Sequence, residues 1–160
     1  MTSSELTMKE LQSLILENTP KTPQIDLNKL TGDLILSGRS IPENAAKLYE
    51  PVLTWVNEYV NDPRPATNLR INLEYFNSAS SIWLAKILKT LTRIDKEDYV
   101  LIIHLYIHID DFEEMEEFDD IKDVFFPIGD IFHGSTVSIG LKLYGIDDNG
   151  ITVKNTSVFF

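Results

Sequence analysis

Three serines stand within four residues in the run Asn77-Ser78-Ala79-Ser80-Ser81, which follows an alternating apolar stretch and precedes an amphipathic one. That placement puts hydroxyls at a helix start. Asn77 or Ser78 can cap the helix by accepting a backbone N–H bond, and capping alone is enough to account for such residues. A second use is open to them. A phosphate on one of these hydroxyls would meet unpaired N–H donors and the positive end of the helix dipole, while adding roughly −1.5 to −2 charges to the surface. The local fold would tolerate the modification, whereas a docked partner would not.

A different chemistry is conceivable further on. His104 and His108 lie four apart, which puts both on one side of a strand or a helix, with Asp110 and Asp111 following. A zinc site needs a third ligand in a defined place, and His104 sits inside an apolar run where a satisfied core histidine is the commoner outcome. Eight of the eleven residues from Asp110 to Asp120 are acidic, without the Asp-x-Asp-x-Asp-Gly register of a calcium loop, so a solvated face is the plainer reading. Phosphate-cradling glycine loops and the Gly-x-Ser-x-Gly elbow are absent. Trp55 and Trp83 are placed at helical spacing, which favours packing or a protein interface over a ligand box.

The elements that must position these residues follow from periodicity. Thr7 to Glu10 has the form of a capping box ahead of Leu11, Leu14 and Ile15, which predicts a short appended helix. Ile25 and Leu27, then Leu34 and Leu36, alternate around Gly32 as a β-hairpin does. Ser40-Ile41-Pro42-Glu43 reads as a second capping box, opening a helix over 42–60 with Ala45, Leu48, Tyr49, Val52, Val56, Tyr59 and Val60 on one stripe and a kink at Pro51. Leu69, Ile71, Leu73 and Tyr75 alternate as a half-buried strand. Leu84, Ile87, Leu88 and Leu91 mark a second helix, and the apolar run Tyr99–Ile107 predicts a strand covered on both faces. Phe112, Met115 and Phe118 fall three apart, as one face of an acidic helix requires, and Val137 to Val153 reads as a terminal hairpin turning at Asp147-Asp148-Asn149-Gly150. If the strands at 33–37 and 69–75 are parallel neighbours, their following loops share one sheet edge, bringing Arg39 towards Ser78.

Composition bounds the function. The chain has 160 residues with 43% hydrophobic content, the size of one ordinary domain, and no cysteine, which excludes disulfides, thiolate sites and cysteine nucleophiles. Its net charge of −11 disfavours nucleic acid and anionic membranes as partners. Lacking a secretory-type start or a run of about 18 apolar residues, the sequence is expected to be cytoplasmic.

The segments Ser37-Gly38-Arg39-Ser40-Ile41-Pro42-Glu43-Asn44-Ala45 and Leu73-Glu74-Tyr75-Phe76-Asn77-Ser78, with the trailing serines, resemble the SiaC family of bacterial regulatory phosphoproteins, which have a SpoIIAA-like, STAS-type fold. The resemblance spans roughly residues 22 to 130 and includes the acidic segment before Phe125-Phe126-Pro127. It implies a site at Ser78, the hydroxyl directly after the strand-ending asparagine, phosphorylated by a dedicated kinase and released by a PPM-type phosphatase, with Ser80 and Ser81 ranking second. It also implies that the unphosphorylated form binds and activates a diguanylate cyclase. On this reading Arg39, Glu43, Asn44, Phe76, Asn77, Ser80 and Ser81 contact the partner.

The sequence thus predicts an α/β fold, a mixed sheet with helices mainly on one face in the order β-β-α-β-α-β, plus the acidic helix and the hairpin. Residues 1–20 form a helical extension, 21–131 the regulatory domain and 132–160 a hairpin extension. No catalytic residue, metal or cofactor is expected. The rivals are a metal-dependent enzyme built on His104, His108 and the acidic run, and a STAS-like module that binds an apolar small molecule.

Overall fold

The computed structural model of the chain describes residues 10–114 and 134–159. Seven strands form one sheet in strictly sequential order: β1 (Leu14–Leu16), β2 (Gln24–Leu27), β3 (Asp33–Ser40), β4 (Ala66–Phe76), β5 (Val100–His108), β6 (Ser138–Ile146) and β7 (Thr152–Phe159). The pairs β3–β4, β4–β5 and β5–β6 are parallel, and the outer pairs β1–β2, β2–β3 and β6–β7 are antiparallel. Helix α1 (Ala45–Tyr59) connects β3 to β4, α2 (Ser78–Leu91) connects β4 to β5, and α3 (Ile109–Glu114) follows β5. Parallel strands added always on the same side, each through a crossover of one hand, bring their helices to one face.

That face holds the core. Leu34 and Leu36 of β3 stand beside Leu69 and Ile71 of β4, these beside Ile103 and Leu105 of β5, and these beside Leu141 and Leu143 of β6, all buried. Tyr49, Val52, Val56 and Tyr59 of α1 and Leu84, Ile87, Leu88 and Leu91 of α2 close over them. Each such side chain contributes about 1.5–3 kcal/mol of burial. The opposite face carries Asp33, Asn68, Arg70, His104, Tyr106, Lys142 and Tyr144, and no described helix covers it. The expectation that β5 is covered on both faces is therefore corrected, since Ile102, Tyr106 and His108 are only half-buried.

The β2–β3 hairpin is as expected, and its glycine is needed. Gly32 has a φ of +77°, and a Cβ there would meet the Ala66 carbonyl oxygen at 2.4 Å. Helix α1 runs on through Pro51.

The appended helix is not found where the structure describes it: Leu14–Leu16 is a strand paired with Ile25–Leu27, while residues 1–9, including Thr7, lie outside the described residues. Backbone pairing on an open sheet edge outweighs a helical period only a turn long. The terminal hairpin is present, but it is not an appendage. β6 lies inside the sheet beside β5, with Val137, Ile139, Leu141 and Leu143 in the core. Of the expected acidic helix, Ile109–Glu114 is α3, whose Phe112 packs against the core; Met115, Phe118 and Phe125-Phe126-Pro127 fall outside the described residues.

Candidate functional site at the carboxyl edge of the central strands

Strands β3 and β4 run parallel and end together, with Arg39 beside Tyr75 and Ser40 beside Phe76. A register shift after Gly38, whose φ is +111°, breaks the alternation there and turns Tyr75 outward, 58% exposed, where the sequence pattern put it inward. The Asn77 N–H donates to the Ser40 carbonyl at 3.0 Å, so the two strand-to-helix junctions are tied directly.

Asn77 caps α2. Its backbone is extended, and its side-chain oxygen accepts the Ser80 N–H at 2.9 Å. Ser78 is the first helical residue, exposed, and its hydroxyl makes no hydrogen bond to another described residue. With the cap supplied by Asn77, the Ser78 side chain has no structural task here. No acidic residue stands in the first turn, and the Ser78 and Ala79 N–H groups precede the first intrahelical bond, leaving the positive end of the helix open.

Ser80 has a different fate. It is fully buried, which removes it from the candidate modification sites and from the partner surface. The Ser80 hydroxyl donates to the Ser40 carbonyl at 2.9 Å, the Ser40 hydroxyl donates to Ser80 Oγ at 2.8 Å, and the Tyr49 hydroxyl completes the chain by donating to Ser40 Oγ at 2.5 Å. Burial pushes the Tyr49 phenol up from its ordinary value. This lock joins β3, α1 and α2, and nothing in residue spacing announced it.

Ser40 is accordingly not the cap of α1. Asn44 is, accepting the Lys47 N–H at 3.2 Å, because the Ser40 hydroxyl is turned into the core. Asn44 thus has a structural role as well as an exposed position. Glu43 is exposed and pairs with Lys21 at 2.9 Å, which lowers its carboxyl below the usual range. Arg39 lies over the Tyr75 ring at 5.4 Å with Nε 3.4 Å from Glu74, so it is held along the same edge. Phe76 is partly buried against the core. Ser81 is half-buried, its hydroxyl donating to the Ser78 carbonyl at 3.4 Å. The sequence reading missed three exposed apolar side chains here: Ile41, Tyr75 and Ile82. Ile82 is one turn from Ser78 on the same helix face.

The two histidines do not form a common site. Four residues along a strand separate them by about 13 Å. His104 donates from Nε2 to Asn68 Oδ1 and accepts at Nδ1 from the Tyr144 hydroxyl, both at 2.8 Å, and burial lowers its pKa to about 4. His108 is bonded through Nε2 to Asp148 at 2.8 Å, which raises its pKa. Among the described residues no group of three or more histidine and carboxylate side chains could hold a metal ion. Trp55 stacks on Tyr59 and donates to the Gln12 carbonyl, and Trp83 stacks on Tyr49, so both are packing residues. No described helix is long and apolar enough to cross a membrane.

The chain thus combines a mixed sheet, its described helices on one face, with an exposed serine at the head of α2. The chain belongs to the SiaC family of regulatory phosphoproteins, whose pattern matches residues 16–129. An uncharacterised protein of Pseudomonas aeruginosa strain UCBPP-PA14 is 31% identical over 70 residues, 44% of this chain and 56% of that protein's length. The crystal structure of apo-SiaC from Pseudomonas aeruginosa superposes with a TM-score of 0.58 at 25% identity, over 64% of this chain and 84% of that one. A chain in the structure of the diguanylate cyclase SiaD with its activator SiaC, from the same species, shares the fold with a TM-score of 0.61 at 21% identity, over 82% of this chain and 99% of that one.

Proposed function

We propose that this chain is a non-catalytic, cytoplasmic partner-switching adaptor: unphosphorylated, it binds a diguanylate cyclase through the carboxyl edge of β3 and β4 and so acts on cyclic-di-GMP output. Phosphorylation of Ser78 by a dedicated kinase breaks that complex, and a PPM-type phosphatase restores it. The observation that carries the reading is the exposed Ser78 hydroxyl, without a hydrogen-bond partner among the described residues and one helical turn from the exposed Ile82. Family membership and the activator role of the Pseudomonas aeruginosa protein SiaC supply the partner class.

The mechanism is electrostatic. A phosphate on Ser78 is met by the unpaired amides of α2, so the fold is undisturbed. A partner pressing apolar groups onto Ile41, Tyr75 and Ile82 would instead have to desolvate a dianion while Arg39, the cation on that edge, is engaged with Glu74 and Tyr75, and a few kcal/mol of mismatch is orders of magnitude in affinity. Arg39, Glu43, Asn44 and Asn77 frame the same edge, and Ser81 is a minor second acceptor.

Phosphosite mapping on protein isolated from its own host tests the assignment. Phosphate on Ser78, with Ser80 always unmodified, is the expected pattern. Stoichiometric phosphate elsewhere with Ser78 bare refutes it.

A further inference from the structure

The two edges of the sheet are built differently. β1 is three residues long, a length that offers little to a pairing strand. β7 is eight residues long, contains no proline, and pairs with β6 alone, so its outer row of N–H and C=O groups faces outward among the described residues. Seven of its eight residues are exposed and the eighth half-buried, so no described helix covers either face, and α3 reaches the strand through the Glu113–Lys154 ion pair at 3.2 Å. Val153 and Phe159 are 51% and 73% exposed. Edge strands of soluble proteins are usually guarded by charge, proline or shortness, and here a single lysine, Lys154, and a bulge near Val153 are the only such devices. The strand lies beyond residues 16–129 that match the family, so the family pattern does not account for it.

We propose that β7 is a self-association edge: two copies of this chain pair β7 to β7, antiparallel, across a two-fold axis at Thr156, making one continuous sheet. The register follows from symmetry. A two-fold axis normal to the sheet keeps each side chain on its own face, so facing residues must be an even number apart and the axis must pass between two copies of one residue. The bulge leaves Lys154–Phe159 in regular register with β6, and Thr156 is one of the two residues at the middle of that stretch. With the axis there, Lys154 faces Val158 of the second copy, so the one charged residue never meets its own like. Phe159 ends beside the bulged Val153 of the second copy, bringing two exposed apolar side chains to one end of the pairing, and Thr156 faces itself, a favourable cross-strand pair. Centring on Asn155 would instead set Val153 against Ser157.

The chain has no cysteine, which makes the axis directly testable. In the full-length Thr156→Cys protein the two thiols would stand at cross-strand distance, about 4.5–5.5 Å between Cα atoms, within disulfide range. Mild oxidation should give a cross-linked dimer at micromolar protein, much faster than Asn149→Cys, an exposed position in the β6–β7 turn. Sedimentation of the wild-type chain should show a monomer–dimer equilibrium. Thr156→Lys, which sets two like charges on the axis, should weaken it roughly fivefold or more, and mixing Thr156→Lys with Thr156→Glu should restore it. A wild-type chain that stays monomeric across the soluble range overturns the proposal. So does a dimer that is indifferent to these changes, or a Thr156→Cys protein that cross-links no faster than the turn control.

Discussion

Buried and neutral on the helix-free face, His104 makes a quantitative prediction about acid stability. The ring is 4% exposed, fully bonded as the Nε2–H tautomer to Asn68 and Tyr144, and neighboured by Arg70 and Lys142, so protonation in place is opposed by burial first and by those cations second. Its pKa falls from 6.5 to about 4. A histidine depressed in the folded state is protonated earlier in the unfolded chain, so stability is lost as pH falls between 6.5 and about 4 and is intact above. At about 1.4 kcal/mol per pKa unit, this one group should remove about 2 kcal/mol of folding free energy between pH 7 and pH 5. Urea unfolding of wild type and His104→Gln at both pH values isolates the effect, because the carboxylates titrate alike in both proteins. His104→Gln is expected to be less stable at pH 7 but to lose about 2 kcal/mol less on acidification. Equal losses in the two proteins would refute the reasoning, as would an imidazole titrating near its ordinary value by NMR.

Two further expectations concern the frame around Ser78. Ser40→Ala breaks the hydroxyl chain from Tyr49 to Ser80 and leaves buried polar groups short of a partner, at a cost of about 1–3 kcal/mol; because Asn44 supplies the α1 cap, Asn44→Ala should cost about 1 kcal/mol independently. Denaturation midpoints of the single and double variants check both, with additive losses expected. Removing residues 134–160 strips Val137, Ile139, Leu141 and Leu143 from the core, about 6–12 kcal/mol of burial set against a total stability of about 5–15 kcal/mol. Cooperative unfolding should disappear, and a sharp transition in that truncation would show that β6 is dispensable.

What the sequence made legible is what local pattern controls. Alternation at Leu34 and Leu36 and at Leu69 and Ile71, and the helical stripes of α1 and α2, each report a face in contact with the core, and residue type narrows the α2 cap to Asn77 or Ser78, of which the structure uses Asn77. Long-range choices were not legible. Leu11, Leu14 and Ile15 satisfy a helical period over so short a span that pairing with β2 decides the outcome. Ser40 satisfies a capping box, yet its hydroxyl bonds Tyr49 and Ser80, residues 9 and 40 positions away. The C-terminal hairpin was readable as a hairpin, but nothing in its alternation says that β6 pairs with β5 as well as β7. At the site, residue type alone does not separate the three serines and only the resemblance ranks Ser78 first, whereas the fold buries Ser80, half-buries Ser81 and leaves Ser78 in solvent.

The central claim is that charge on Ser78 controls partner binding without disturbing the fold. Isothermal titration of the host's candidate diguanylate cyclase with unmodified and enzymatically phosphorylated protein, with melting temperatures recorded for both, tests it most directly. Phosphorylation should leave the melting temperature within a few degrees while weakening binding by a hundredfold or more, on the order of 3 kcal/mol. Ser78→Ala should bind as wild type does and resist the kinase. Equal affinity of the phosphorylated and unmodified proteins for an authentic partner, or loss of binding that tracks loss of folding, would contradict the account.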